Sequence, residues 1–120
     1  MASGLETVII PVSDIDAAKQ LYGRLFGATP YVDQPYYAAF NVNGQDVGLD
    51  PNGHSKGMTG PVAYWRVDDI KESLEALLAT GAEAQQPIND VGGGRLIATV
   101  KDSDGNIVGL LQDPVGGQAG

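Results

Sequence analysis

The chain has no cysteine, a single histidine and a single tryptophan, and only 7 lysines and arginines against 15 aspartates and glutamates in 120 residues. The lack of cysteine removes disulfides, thiol catalysis and zinc–thiolate sites together, while leaving the compartment open on that count. The formal charge is −8 and the few basic residues form no cluster. Nucleic acid and anionic membrane surfaces are therefore excluded as partners, since both require a positive face. The acidic residues are dispersed along the chain (Asp14, Asp33, Asp46, Asp68, Asp90, Asp113), the pattern of a solvated surface and not of an acidic tail. No stretch approaches the roughly 18 apolar residues that cross a bilayer. Met1–Glu6 has no basic region followed by an apolar run. A cytoplasmic protein is expected.

What is present suits an ordinary globular chain, with an apolar fraction of 42%. One domain over 1–120 is expected. A domain below about 150 residues buries only about two-thirds of its unfolded surface, so a second copy covering one face, a homodimer, is the expected supplement.

Thr7–Val12 is rich in β-branched residues and precedes Asp14, a good helix N-cap. Ile15, Ala18, Leu21, Tyr22, Leu25 and Phe26 then recur at helical spacing, and Gly27 is placed to end the helix. Strands are expected at about Thr29–Asp33, Tyr36–Val42 and Asp46–Asp50, with the hairpin signal Asn43-Gly44 before the last. A Gly-rich linker, 52–60, contains His54, which reads as a lone solvated imidazole. The pattern then restarts. Val62–Val67 is a strand, Asp69 a cap, and Ile70, Leu74, Leu77 and Leu78 a helical stripe ended by Gly81. Strands follow at about Glu83–Asn89, Arg95–Val100 and Asn106–Gln112, and the tail 114–120 is expected to be flexible.

An internal repeat orders these elements. Val12-Ser13-Asp14-Ile15 matches Val67-Asp68-Asp69-Ile70, and Gly44-Gln45-Asp46-Val47-Gly48-Leu49 matches Gly105-Asn106-Ile107-Val108-Gly109-Leu110. Both halves begin and finish alike, which gives two βαβββ modules, about 5–51 and 61–113.

Tandem modules with V-x-D-I opening each helix, the helix Leu21-Tyr22-Gly23-Arg24-Leu25-Phe26-Gly27, and Asp102-Ser103-Asp104-Gly105-Asn106 before the last strand resemble the vicinal oxygen chelate superfamily. That group holds glyoxalases, extradiol dioxygenases, fosfomycin-resistance transferases and bleomycin-binding proteins. The resemblance runs from Glu6 to Pro114 and departs at Ser103, where members more often carry proline. It implies an α+β fold in which the strands of both modules form an incomplete barrel-like mixed sheet, with the helices outside and a cavity within.

The resemblance also implies where metal-dependent members hold their ligands, on the first and last strands of each module. Here those positions are Thr7, Gly48, Val62 and Gly109. A divalent cation needs imidazole nitrogen or carboxylate oxygen at about 2.0–2.2 Å. Threonine is a poor ligand, and valine and glycine offer none. No metal and no cofactor are expected.

Strand alternation then selects the cavity face. Thr7, Ile9, Tyr37, Asn41 and Asp50 are expected on it from the first module, and Tyr64, Arg66, Arg95 and Leu111 from the second. Trp65 falls on the helix-packed side, and the two glycines leave space for a ligand or another backbone. The nine residues form a mixed wall suited to a planar, partly apolar organic molecule. A competing reading stands beside it, in which Arg66 and Asp50 form a partner-facing ion pair and the tyrosines are interface residues.

The expected function is metal-independent binding of a small molecule, in the manner of bleomycin-type members, sequestering a drug or natural product and so conferring antibiotic resistance. The acidic surface favours a cationic or neutral guest. The alternative is a metal-free lyase, isomerase or dioxygenase-like enzyme with a carboxylate such as Asp50 or a tyrosine such as Tyr64 as acid or base. A third reading is a regulatory dimer with a vestigial cavity.

Overall fold

Two aspartates start the two helices by the same device. Asp14 and Asp69 both have extended backbone, and their carboxylates accept hydrogen bonds from Ala17 N at 3.1 Å and Glu72 N at 3.0 Å. Each satisfies an amide that the first helical turn leaves without a partner. The computed structural model describes residues 2–114, and the tail beyond Pro114 lies outside the described residues.

The chain divides into two units, Thr7–Val62 and the residues from Ala63 onward together with those up to Glu6. Strand β1, Ala2–Pro11, contributes to both. The first unit contains α1 (Ile15–Phe26), β2 (Val32–Gln34), β3 (Tyr37–Val42) and β4 (Gln45–Asp50). Its strands lie in the order β2-β3-β4-β1, with β1 and β4 parallel and the other pairs antiparallel. The second unit contains β5 (Val62–Val67), α2 (Ile70–Ala79), β6 (Glu83–Asp90), β7 (Leu96–Lys101) and β8 (Ile107–Gln112). Its order is β5-β8-β7-β6, with β5 and β8 parallel. Strand–helix–three strands therefore occurs twice, a mixed α+β fold of two βαβββ modules.

In each unit the helix covers one face of the sheet. Val12, Ala38, Phe40 and Leu49 pack with Ile10, Ile15, Ala18, Tyr22 and Phe26 in the first unit. Val67, Ile70, Ala98 and Leu110 pack with Leu74, Leu77 and Leu96 in the second. Phe26 meets Phe40 edge to face at 5.4 Å between ring centres, a favoured aromatic geometry.

Several boundaries and faces differ from the sequence reading. β1 begins at Ala2, five residues before Thr7, and β2 begins at Val32. Leu21 and Leu25 do not join the core stripe of α1 and are 61% and 70% exposed. The stripe is narrower because Ile15, Ala18, Tyr22 and Phe26 already fill the contact with β3 and β4. Trp65 is not core either. It is 39% exposed although its register partner Leu110 is buried, because α2 covers Leu110, Ala98 and Val67. The last strand turn is closed by Asp102, which accepts from Asp104 N and Asn106 N, both at 2.9 Å, and from Asn106 Nδ2 at 3.0 Å. These bonds to its charged form hold the Asp102 carboxyl below its ordinary value.

Candidate functional site

Register fixes which side chains share the face turned away from each helix. Thr7 pairs with Asp46, Ile9 with Gly48 and Pro11 with Asp50 along β1/β4, while Ala39 pairs with Gly48 across β3/β4. In the second unit Tyr64 pairs with Gly109, Arg66 with Leu111, Ile97 with Leu111 and Thr99 with Gly109. Directly opposed residues point to the same face, so Thr7, Ile9, Ala39 and Gly48 share one face in the first unit, and Tyr64, Arg66, Ile97, Thr99, Gly109 and Leu111 share one in the second.

At the centre of each face a tyrosine lies on a glycine. A Cβ on Gly48 would stand 2.6 Å from Tyr37 Cζ and 2.9 Å from Ile9 Cδ1. A Cβ on Gly109 would stand 2.5 Å from Tyr64 Cδ2 and 2.7 Å from Tyr64 Cγ. The expectation of open space at these glycines is corrected: the residues that use it are the chain's own aromatic rings. The tyrosines arrive from different strands, Tyr37 from β3 and Tyr64 from β5, so the repeat preserves the glycine and not the ring's origin.

The four positions that resemblance gives to metal ligands, Thr7, Gly48, Val62 and Gly109, supply one side-chain oxygen between them. That oxygen, Thr7 Oγ1, donates to the Asp46 carbonyl at 3.2 Å. Among the described residues no three His, Cys, Asp or Glu side chains gather in a metal-holding group. A divalent cation of the glyoxalase type does not fit this donor set.

The remaining expected residues separate into distinct neighbourhoods. Asn41 belongs to the β3–β4 turn, accepting from Gly44 N at 3.1 Å and donating to Asp46 Oδ1 at 3.0 Å. Asp50 sits at the other end of β4, where it accepts from Asn52 N and Lys56 Nζ, each at 2.8 Å. Its ion-pair partner is thus Lys56, in the linker, and the sequence had offered Arg66. Arg66 pairs with Glu6 and, at 3.6 Å, with Asp113. Arg95 pairs with the same two carboxylates, Glu6 at 3.4 Å and Asp113 at 2.8 Å. Leu111 and Tyr64 are buried on the face between these charges and Gly109.

Sequence reasoning missed four participants. Asp113 follows Leu111 by one strand period, so alternation along β8 was a usable signal. Glu6 precedes Thr7 and by parity belongs to the opposite face. It reaches the arginines because the start of β1 associates with the second unit. Gln85 accepts from the buried Thr99 hydroxyl. It is the extra residue of a bulge between Ala84 and Gln86, which nothing in the sequence announces. Tyr31, whose hydroxyl donates to Asp46 Oδ2 at 2.7 Å, lies just before β2.

Comparison with known proteins places this geometry. Residues 4–110 match the model of the Glyoxalase/Bleomycin resistance protein/Dioxygenase superfamily. No curated protein matches the sequence. Among solved structures, a protein named NAD-dependent benzaldehyde dehydrogenase from Legionella pneumophila is similar with a TM-score of 0.73 at 16% identity, over 90% of this chain and 98% of that one. Methylmalonyl-CoA epimerase from Mycobacterium tuberculosis gives 0.69 at 18%, over 99% and 93%. A superfamily member from Vibrio splendidus 12B01 gives 0.70 at 17%, over 91% and 99%. At these identities the structures speak to fold alone, and together with the family match over 4–110 they show that the chain belongs to the Glyoxalase/Bleomycin resistance protein/Dioxygenase superfamily.

Proposed function

We infer that the protein binds a small, planar or partly apolar organic molecule without a metal, sequestering a drug or natural product. The observation that carries this reading is the pair of tyrosines on Gly48 and Gly109. Where the resembled enzymes put cation ligands, this chain puts aromatic walls, and aromatic surface with a few fixed polar groups is what a partly apolar organic guest recognises. On the first unit's face Thr7 is buried and Ile9 and Tyr37 are half-buried; on the second unit's face Tyr64 and Leu111 are buried and Arg66 and Arg95 are the more exposed. A cytoplasmic homodimer belongs to the same reading, supported by the small size of the chain.

Catalysis ranks second because Asp50, the carboxylate offered as a base, already holds Lys56 and the Asn52 amide. The test is titration of planar aromatic compounds against tryptophan and tyrosine fluorescence, before and after chelation, with mass spectrometry of the mixture. Saturable binding that survives chelation and leaves the compound intact is expected. Binding that requires one equivalent of divalent metal, or a changed mass of the compound, overturns the reading.

A further inference from the structure

We propose that Arg66 and Arg95 recognise a carboxylate on the guest, so that the second unit's face selects apolar monocarboxylates. This deepens the reading above and rests on it. The two guanidiniums and the carboxylates of Glu6 and Asp113 form a closed ring of alternating charge: Arg66 to Glu6, Glu6 to Arg95, Arg95 to Asp113 and Asp113 back to Arg66. The ring is layered. The Glu6 and Asp113 side chains are 14% and 28% exposed, while those of Arg66 and Arg95 are 48% and 37% exposed. The anions thus lie behind and the cations in front.

Such a ring orders its arginines before any guest arrives, which removes part of the entropy cost of binding. It engages Nε and Nη2 of each guanidinium. Each guanidinium carries five N–H donors, and none of the ring's contacts uses Nη1, so one Nη1 from each arginine is left to donate to one oxygen of a carboxylate that bridges the two. A singly charged, planar anion is the guest that this geometry fits.

The surroundings favour an apolar body on that carboxylate. Val91 lies opposite Arg95 in the β6–β7 turn, where its amide donates to the Arg95 carbonyl at 2.9 Å, and it is exposed. Gly92 and Gly93, which continue the turn, have open space where side chains would stand. Ile97 and Thr99 share one face of β7 at strand spacing, about 6.6 Å between alternate residues, and Arg95 stands immediately before the strand begins. The half-buried Ile97 is therefore within reach of a guest of one or two fused rings anchored at Arg95.

The net charge of −8 argues for the opposite sign of guest. Screening limits that field to about 8–10 Å in ordinary salt; of the carboxylates around the site, Glu6 and Asp113 are committed to the arginines and Asp90 accepts from the Gly92 amide at 2.7 Å. Local donors therefore outweigh the distributed charge.

The experiment compares naphthalene-2-carboxylate, naphthalene-2-carboxamide and naphthalen-2-ylmethylammonium on the full chain by calorimetry. Arg66→Gln and Arg95→Gln are run beside the wild type, with thermal melts to verify folding. The carboxylate is expected to bind at least 10-fold more tightly than the amide, with an advantage that shrinks as salt is raised. Either substitution should bring it to the level of the amide while amide binding persists. Arginine Nε–H resonances of the unaltered protein, expected to shift with the carboxylate and not with the amide, decide the matter if a variant fails to fold. Equal binding of all three overturns the inference and leaves a ligand-binding face standing, as does tighter binding of the ammonium compound. A carboxylate preference that survives both substitutions places the anion elsewhere and overturns it too. Failure of all three compounds to bind at millimolar concentration removes the carboxylate proposal together with the binding function beneath it.

Discussion

The ring of Tyr64 lies directly on Gly109, its partner across the parallel pair β5/β8, with ring atoms 2.5–2.8 Å from where a Cβ on that glycine would be. Real Cβ atoms do not approach neighbours this closely, so the two positions are sterically linked. Gly109→Ala should destabilise the protein by about 1–3 kcal/mol, the usual cost of overpacking a buried site. Urea denaturation measures it. The Gly109→Ala/Tyr64→Ala pair should cost less than its two single changes added together, since the ring that opposes the methyl is gone. Strict additivity would mean that Tyr64 is not what excludes a side chain at Gly109.

The two sides of α1 should respond differently to truncation. Phe40, fully buried beneath the helix and in contact with Phe26, should lose about 3–5 kcal/mol as Phe40→Ala. Leu25→Ala, at a position 70% exposed, should stay within about 0.5 kcal/mol of the wild type. A comparable loss at both sites would show that Leu25 is covered in solution.

Removal of the N-caps should cost about 0.5–2 kcal/mol each, for Asp14→Ala and for Asp69→Ala. Both lose one carboxylate–amide bond at a helix start. Asparagine accepts the same bond, so Asp14→Asn and Asp69→Asn should restore most of the loss in a thermal melt.

Acid should loosen the turn before β8. The Asp102 carboxyl lies below its ordinary 3.8, chiefly because the Asn106 side chain and backbone bond to its charged form. A carboxyl whose value is lowered by folding stabilises the fold above its unfolded value, and that contribution disappears as pH falls through the lowered one. The stability gap between the wild type and Asp102→Asn should be constant from neutral pH to about pH 4 and close below it. Melting temperatures taken from pH 7 down to pH 2 report this, and a gap that opens on acidification would contradict the sign.

Much of the architecture was legible because its signals are local. Asp14 and Asp69 announce the helices, Asn43-Gly44 and Asp104-Gly105 announce turns, and the repeated V-x-D-I and G-x-x-V-G-L order the modules. Alternation along a strand is local in the same sense: with a period of two, one correctly placed residue settles its strand. It failed where geometry is not local. The bulge that turns Gln85 toward Thr99 is an interruption of that period. The exposure of Leu21, Leu25 and Trp65 depends on how much sheet each helix can cover.

The candidate site divides along the same line. Sequence by itself determined its inventory: no cysteine, one histidine, and glycine, valine or threonine where a cation would need nitrogen or carboxylate oxygen. Tertiary structure alone decided that Tyr37 and Tyr64 fill the space over Gly48 and Gly109, and that Glu6 and Asp113 close a ring with Arg66 and Arg95. The physical reason is distance along the chain. Residue chemistry is carried at each position, whereas contacts between positions 6, 66, 95 and 113 exist only once strands far apart in sequence lie side by side.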